Sequence, residues 1–251
     1  ILFNGENMKI GIIDSGIGGL DLLNKIINKY PNNEYLYLCD NLNVPYGIKS
    51  KKEVEKYIVN ILNYLEKKHI NLLIVACNTM SCFMDKLKSL YSYPIYTILD
   101  YNAKILNEKY QYDKVAIIAT SLTIRSEMYL YKTNNIDIQF INGSYLTKLI
   151  EEDDETLIDK EINSLIKQIN KDNKAILLGC THYGLYKNNF ISKCYSKIFI
   201  EGSKELIYDL PLKNFESKHK LEIYLTKYNK EYISLIKKHL NYNFIIHNIT
   251  L

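Results

Sequence analysis

Arginine is nearly missing from this chain: Arg125 is the only one in 251 residues. Arginine is the side chain favoured for bidentate contacts to phosphates and base edges. Nucleic-acid recognition is therefore not expected as a primary role. The 32 basic residues face 28 acidic ones, so the net charge of +4 makes no strongly basic surface. No apolar run approaches the length of about 20 residues that a membrane-spanning helix needs. No membrane partner is expected. The N-terminus has no charged stretch followed by an apolar one, so a secretory leader is not expected. Residues 1–7 precede Met8 and stand apart from the fold argument. The five cysteines include no CxxC pair and no regular spacing of a disulfide framework or zinc ribbon. A reducing cytoplasm is the expected setting. No segment suggests the Schiff-base lysine site of a pyridoxal-phosphate enzyme.

What the chain does have is two short strands that each end in cysteine. The first reads Leu72-Leu73-Ile74-Val75-Ala76-Cys77-Asn78-Thr79. The second reads Ala175-Ile176-Leu177-Leu178-Gly179-Cys180-Thr181-His182. A short continuous apolar run marks a parallel strand buried on both faces. Ligands of such sheets bind beyond the carboxyl ends of the strands. Each cysteine thus sits where chemistry is expected, in matched settings.

The rest of the chain alternates strand and helix. Met8 to Asp14 is the first strand, followed by the turn Ser15-Gly16-Ile17-Gly18-Gly19 and a helix over 20–30. The turn lacks the third glycine of a dinucleotide fingerprint. Glu34 to Asp40 is a second strand, and Pro45-Tyr46-Gly47 lies in the loop after it. Ser50 with Glu53 forms a capping box that opens a helix running to about residue 68. A helix is expected from Cys77 to about residue 90, then a strand over 94–99 and a helix over 103–110. The pattern then restarts, because Lys114 to Thr120 echoes Lys9 to Ser15. That match and the cysteine match have nearly the same offset, which points to an internal duplication. A strand over 136–141 follows. Glu151 to Glu155 reads as the solvated start of a helix over 156–170. Further strands are expected at 197–200, 221–226 and 243–249, with a helix over 230–240. Residues 211–220 read as polar and irregular. The fold class is α/β, with two pseudo-symmetric parallel-sheet domains and the site in the cleft between them. The expected division is 8–99 with 208–251, and 100–207.

Two facing thiols suit one reaction well. A thiolate removes an acidic C–H proton from one face of a small ligand, and a thiol returns a proton to the other. Inversion then needs no metal and no redox cofactor. Ionising an ordinary thiol at pH 7 costs roughly 2 kcal/mol, which a helix N-terminus or a nearby acceptor offsets. Asp14 ends the first strand on the same sheet edge as Cys77 and is placed to assist it. His182 is placed to do the same for Cys180. Ser15, Asn78, Thr79 and Thr181 are candidate donors to a carboxylate. Zinc held by Cys77, Cys180 and His182, or a redox disulfide between the cysteines, remains the alternative chemistry. Cys39, Cys82 and Cys194 read as packed residues, and His69, His219 and His247 as ordinary surface or core histidines.

These segments resemble glutamate racemases. The resemblance rests on Asp14-Ser15-Gly16-Ile17-Gly18-Gly19, Pro45-Tyr46-Gly47, Ala76-Cys77-Asn78-Thr79 and Gly179-Cys180-Thr181-His182-Tyr183, in the family's order and spacing. Ala119-Thr120 with Thr123, Ser126 and Tyr129 matches a further segment, and Ile223 to Leu240 is similar to the family's C-terminal region. The resemblance covers Met8 to Leu240. It implies a cofactor-independent racemase of L- and D-glutamate that supplies D-glutamate for bacterial peptidoglycan, usually as a homodimer. It implies that Cys77 and Cys180 are the two bases, assisted by Asp14 and His182. Asp14, Ser15, Tyr46, Gly47, Asn78, Thr79, Thr181 and His182 contact substrate on this reading, with Thr120 and Thr123 as further contacts. The chain departs from the family at Gly184, where proline is usual, and at Met80, where alanine is common. Glu201-Gly202-Ser203 also matches poorly. The competing readings are a racemase of aspartate or another acidic amino acid, and a binding or regulatory protein on the same fold.

Overall fold

The computed structural model describes residues 8–213 and 220–251. His219 and most of the stretch expected to be irregular lie outside the described residues. The first sheet is built from β1 (Lys9–Asp14), β2 (Glu34–Cys39), β3 (Leu72–Val75) and β4 (Ile95–Thr97). Four more strands, β5 (Lys114–Ala119), β6 (Asp137–Asn142), β7 (Ala175–Gly179) and β8 (Ile198–Ile200), make the second sheet. The last two, β9 (Lys220–Leu225) and β10 (Ile245–Asn248), return to the first. Helices α1 (Leu20–Lys29), α2 (Lys51–Glu66), α3 (Asn78–Ser81), α4 (Met84–Leu87) and α5 (Ile98–Lys109) alternate with the early strands. Between β5 and β7 come α6 (Ser121–Arg125), α7 (Met128–Lys132), α8 (Ser144–Glu151) and α9 (Glu155–Lys167). The remaining helices are α10 (Thr181–Leu185), α11 (Lys187–Lys193), α12 (Ser203–Asp209) and α13 (Lys230–His239).

The strand order is β10-β9-β2-β1-β3-β4 in one sheet and β6-β5-β7-β8 in the other, with every pair parallel. The order β2-β1-β3-β4 is the order β6-β5-β7-β8 with each strand replaced by its earlier counterpart. The echo between β1 and β5, and between the two cysteine strands, is therefore one of topology as well as sequence. Ile10, Ile12, Ile13 and residues 72–75 are fully buried, as are Val115 to Ala119 and Ala175 to Leu177. Each Val, Leu or Ile side chain among them contributes about 1.5–3 kcal/mol on burial. In both sheets the chain reverses its winding direction at the central pair, β1 beside β3 and β5 beside β7. A crevice opens beyond their carboxyl ends. Asp14 and Cys77 stand at one crevice, Thr120 and Cys180 at the other.

Two stretches differ from the sequence expectation. The helix after Cys77 is broken into α3, α4 and a 3₁₀ turn over 88–90. Ser81 Oγ donates back to the Cys77 carbonyl at 2.8 Å, and the Phe83 N–H donates to the Met80 carbonyl at 3.0 Å. These local bonds divert the ladder. The strand expected over 94–99 stops at Thr97, whose Oγ1 accepts from the Asp100 N–H at 3.2 Å. That cap starts α5 at Ile98, ahead of the start at 103 that the apolar spacing suggests. The Ser50–Glu53 capping box forms as read.

Candidate active site

Both cysteines occupy the N-cap of a short helix: Cys77 opens α3 and Cys180 opens α10. Both are buried, and all five cysteines stand as free thiols. Ser15 Oγ lies 3.7 Å from Cys77 Sγ. Burial pushes the Cys77 thiol well above its ordinary range, and the charge of Asp14 adds to this. Hydrogen bonds from the Met80 N–H and Ser15 work the other way.

Asp14 is fully buried at the end of β1. Its Oδ1 accepts the Gly16 N–H at 3.0 Å. Its Oδ2 accepts the Thr181 hydroxyl, also at 3.0 Å, so the carboxylate links the two halves. Burial raises the carboxyl from 3.8 to about 6, with the His182 charge and these two hydrogen bonds opposing the shift. The folded state therefore favours protonated Asp14. That contribution is complete below the unfolded value of 3.8 and is lost as pH rises through about 6. Its size is about 3 kcal/mol. Removing the titration by Asp14→Asn should stabilise the variant relative to the parent by up to that amount between pH 4 and pH 7. Urea unfolding of both proteins across that range measures it, and a pH-independent difference would refute the shift.

On the other side, His182 Nδ1 lies 3.7 Å from Cys180 Sγ, and Thr147 Oγ1 lies 3.6 Å from the same sulfur. His182 Nε2 meets Glu151 Oε1 at 2.5 Å. Burial works against a charged imidazole here, but hydrogen bonds with Cys180 and Glu151 outweigh it. The His182 pKa therefore lies well above the usual histidine value. Glu151 also accepts the Ile17 N–H at 3.0 Å. A Cβ on Gly16 would collide with Glu151 Oε1, and one on Gly18 would meet His182 N and Nδ1 at 2.6 Å. The glycines of the turn are thus what lets His182 and Glu151 pack against it. Reading Glu151 to Glu155 as a solvated helix start is corrected by the structure. Glu151 is the last residue of α8 and is buried against His182, and Asp154 caps α9.

Thr79, Thr120 and Thr123 form a buried triangle of hydroxyls, with Oγ1 separations of 3.0, 3.1 and 3.0 Å. Asn78 is held by Tyr129, whose hydroxyl donates to Asn78 Oδ1 at 2.7 Å, and by Asn102 Nδ2 at 3.3 Å. Asn102 carries no sequence signal of this role, because it lies one turn inside α5, ahead of the helix start that apolar spacing suggests. The Tyr46 hydroxyl donates to Asp40 at 2.5 Å and its ring is buried, so its hydroxyl is already engaged. Gly47 lies against Thr120, and its carbonyl accepts from Ser121 Oγ at 3.1 Å. Among the described residues no group of three or more His, Cys, Asp and Glu side chains is placed to hold a metal ion, which tells against the zinc arrangement. No helix among them is long and apolar enough to cross a membrane.

Residues 10–206 match the model of the Asp/Glu/Hydantoin racemase family. The chain belongs to that family. It is 33% identical over 240 residues to the glutamate racemase of Aquifex aeolicus (strain VF5), covering 92% of this chain and 93% of that one. Its fold is similar to that of Thermus thermophilus glutamate racemase in complex with beta-chloro-D-alanine, with a TM-score of 0.86 at 24% identity over 98% of both chains. It is also similar to the Francisella tularensis subsp. tularensis SCHU S4 glutamate racemase in complex with D-glutamate. That match has a TM-score of 0.85 at 22% identity, covering 97% of this chain and 98% of the other. Membership makes the chain an amino-acid racemase with two parallel-sheet α/β domains.

Proposed function

We propose that this racemase interconverts L- and D-glutamate with Cys77 and Cys180 as its two acid–base groups and no cofactor. The observation that carries this is that each thiol has its own titratable partner, on two crevices that the Thr181–Asp14 hydrogen bond brings together. Asp14 and Ser15 attend Cys77, and His182 with Glu151 attends Cys180. Asp14, with its carboxyl at about 6, is mostly ionised at pH 7 and is suited to accept the Cys77 proton. His182, held charged by Glu151, is suited to supply a proton through Cys180. In the substrate-free site, burial and Asp14 both oppose a Cys77 thiolate. The α-ammonium of an amino acid brings a positive charge to the crevice and offsets both. Cys77 then takes the α-proton, the carbon flattens, and Cys180 delivers a proton to the opposite face. The reverse direction exchanges the roles.

The hydroxyls of Ser15, Thr79, Thr120, Thr123 and Thr181, the Asn78 side chain, and the backbone at Gly47 are the proposed anchors for the two carboxylates and the ammonium. Tyr46 contributes through its backbone, since its hydroxyl is held by Asp40. The proposed domain division is 8–99 with 208–251 against 100–207, and pairing of β9 with β2 supports the return of the tail. We further assign a cytoplasmic homodimer that supplies D-glutamate for peptidoglycan.

Aspartate is the second reading for the substrate. Glutamate is favoured by the relatives that the chain matches over most of its length, which are named glutamate racemases, and by the segment Gly179 to Tyr183, through which the sequence resembles that family. A panel of acidic amino acids decides between them by polarimetry. Glutamate is expected to turn over fastest, and fast racemisation of aspartate with little of glutamate would overturn the assignment.

A further inference from the structure

The two thiols differ in what lies beside them. Both are buried in apolar clusters, Cys77 with Ile13, Leu38, Tyr46, Val54 and Met80, and Cys180 with Ile118, Ile176 and Tyr183. Only Cys180 also lines a cavity of about 50 Å³, together with Asn78, Asn102, Thr181 and Gly184. Asp14, Ser15, Cys77 and Thr79 do not line it, so it lies to one side of the crevice. A water needs about 10–15 Å³ of such space and two or more polar partners. The cavity has room for one or more, and the side chains of Asn78, Asn102 and Ser203 supply partners. At its rim, Lys25 joins Asp21 at 2.7 Å and also Glu201, and Lys187 joins Glu201 as well. These four side chains are about one-third exposed, which keeps the rim in contact with solvent.

We propose that this cavity is the route by which Cys180 exchanges its proton with water, and that Gly184 keeps it open. The proposal rests on the two-thiol reading above. In one turnover a C–H bond breaks and an S–H bond forms at one cysteine, while an S–H bond breaks and a C–H bond forms at the other. The enzyme is left with the opposite protonation pattern and accepts only the opposite enantiomer. It resets when one thiol gives a proton to water and the other thiolate takes one from water. Nothing else is consumed. Cys180 has a water-sized space beside it for that step. Gly184 sits in α10 on the wall of this space, with an ordinary helical backbone. A Cβ there would meet only Asp21 Oδ2, at 3.4 Å, so the backbone tolerates a side chain and its absence leaves the space. The departure at Gly184 thus acquires a role in proton exchange.

The test compares the parent with Gly184→Leu, which fills the cavity, and Gly184→Ala, which narrows it. Labelled L- and D-glutamate are brought to equilibrium, and an excess of unlabelled L-glutamate is then added. Where reset is slow, the label swings transiently toward L-glutamate before relaxing. Gly184→Leu is expected to lower kcat by about tenfold and KM with it, leaving kcat/KM little changed because reset follows product release, and to enlarge the swing, with Gly184→Ala between it and the parent. A folded Gly184→Leu with the parent's kcat and no larger swing would overturn the proposal. So would a rise in KM alone, which would make the cavity part of the substrate seat. If Gly184→Leu does not fold, Gly184→Ala decides by the same two readouts. Failure of the parent to place solvent hydrogen in its product would instead remove the two-thiol reading itself, before any variant is made.

Discussion

Cys77→Ser and Cys180→Ser should each lower racemisation by about 10²–10⁴-fold, the range that a positioned acid or base supplies. A hydroxyl is a far weaker acid than a thiol. On the proposed scheme, Asp14 at about 6 is too weak a base to ionise serine as it would cysteine. The fold should survive. Both positions are helix N-caps, where serine is among the favoured residues. Each sulfur has a hydroxyl within 3.7 Å that serine can also bond. Circular dichroism and thermal melting check the fold, and polarimetry checks the rate in both directions. A folded variant that keeps more than about a tenth of the parent rate would contradict the two-thiol scheme.

Glu151→Gln is expected to have the next largest effect, and one that depends on pH. The hydrogen bond with Cys180 and the hydrogen bond and charge of Glu151 together raise the His182 pKa against the ring's own burial. With the carboxylate neutralised, the opposing effect of burial gains weight and the imidazole pKa falls. At alkaline pH the ring is then charged less often than in the parent, and Cys180 loses its neighbouring proton donor. A loss of about 10²-fold is expected there, shrinking as the buffer is made more acidic and the ring recharges. His182→Asn should show the same loss at pH 8 without recovery in acid. The readout is the pH profile of kcat for the three proteins. An activity of Glu151→Gln equal to the parent's at pH 8, or a loss of the same size at every pH, would show that Glu151 does not act through His182.

The two cysteine strands are legible because a parallel strand buried on both faces has no polar residue to interrupt it. The apolar run therefore stops where the chain leaves the sheet. The same rule makes β1 and β5 readable, and their shared place in the two sheets bears out the duplication. The Ser50 cap is legible from two residues at a fixed spacing. Glu151 is not. Its sequence neighbours Glu152, Asp153, Asp154 and Glu155 make it look like part of a solvated run. Only the turn after α8, with Asp153 at a φ of 56°, separates it from them and leaves it under the glycine turn. Asn102 is hidden for a related reason. Thr97 starts α5 by a side-chain cap, whereas Ile98 and Leu99 read equally well as strand. The broken helix after Cys77 depends on bonds from Ser81 and Cys82 to carbonyls one turn back, and apolar spacing carries no trace of these. The cavity beside Cys180 depends on a residue that lacks a side chain, and its meaning emerges only when α1, α5 and α10 are brought together.

The measurement that bears most directly on the two-thiol reading is α-proton exchange in deuterated water, with L-glutamate and D-glutamate supplied separately and no cofactor added. The two-thiol scheme predicts deuterium at the α-carbon of the product enantiomer from either starting material, delivered by the thiol on the face opposite to abstraction. Product that retains its original α-proton, or no exchange from either enantiomer by the folded protein, would contradict it.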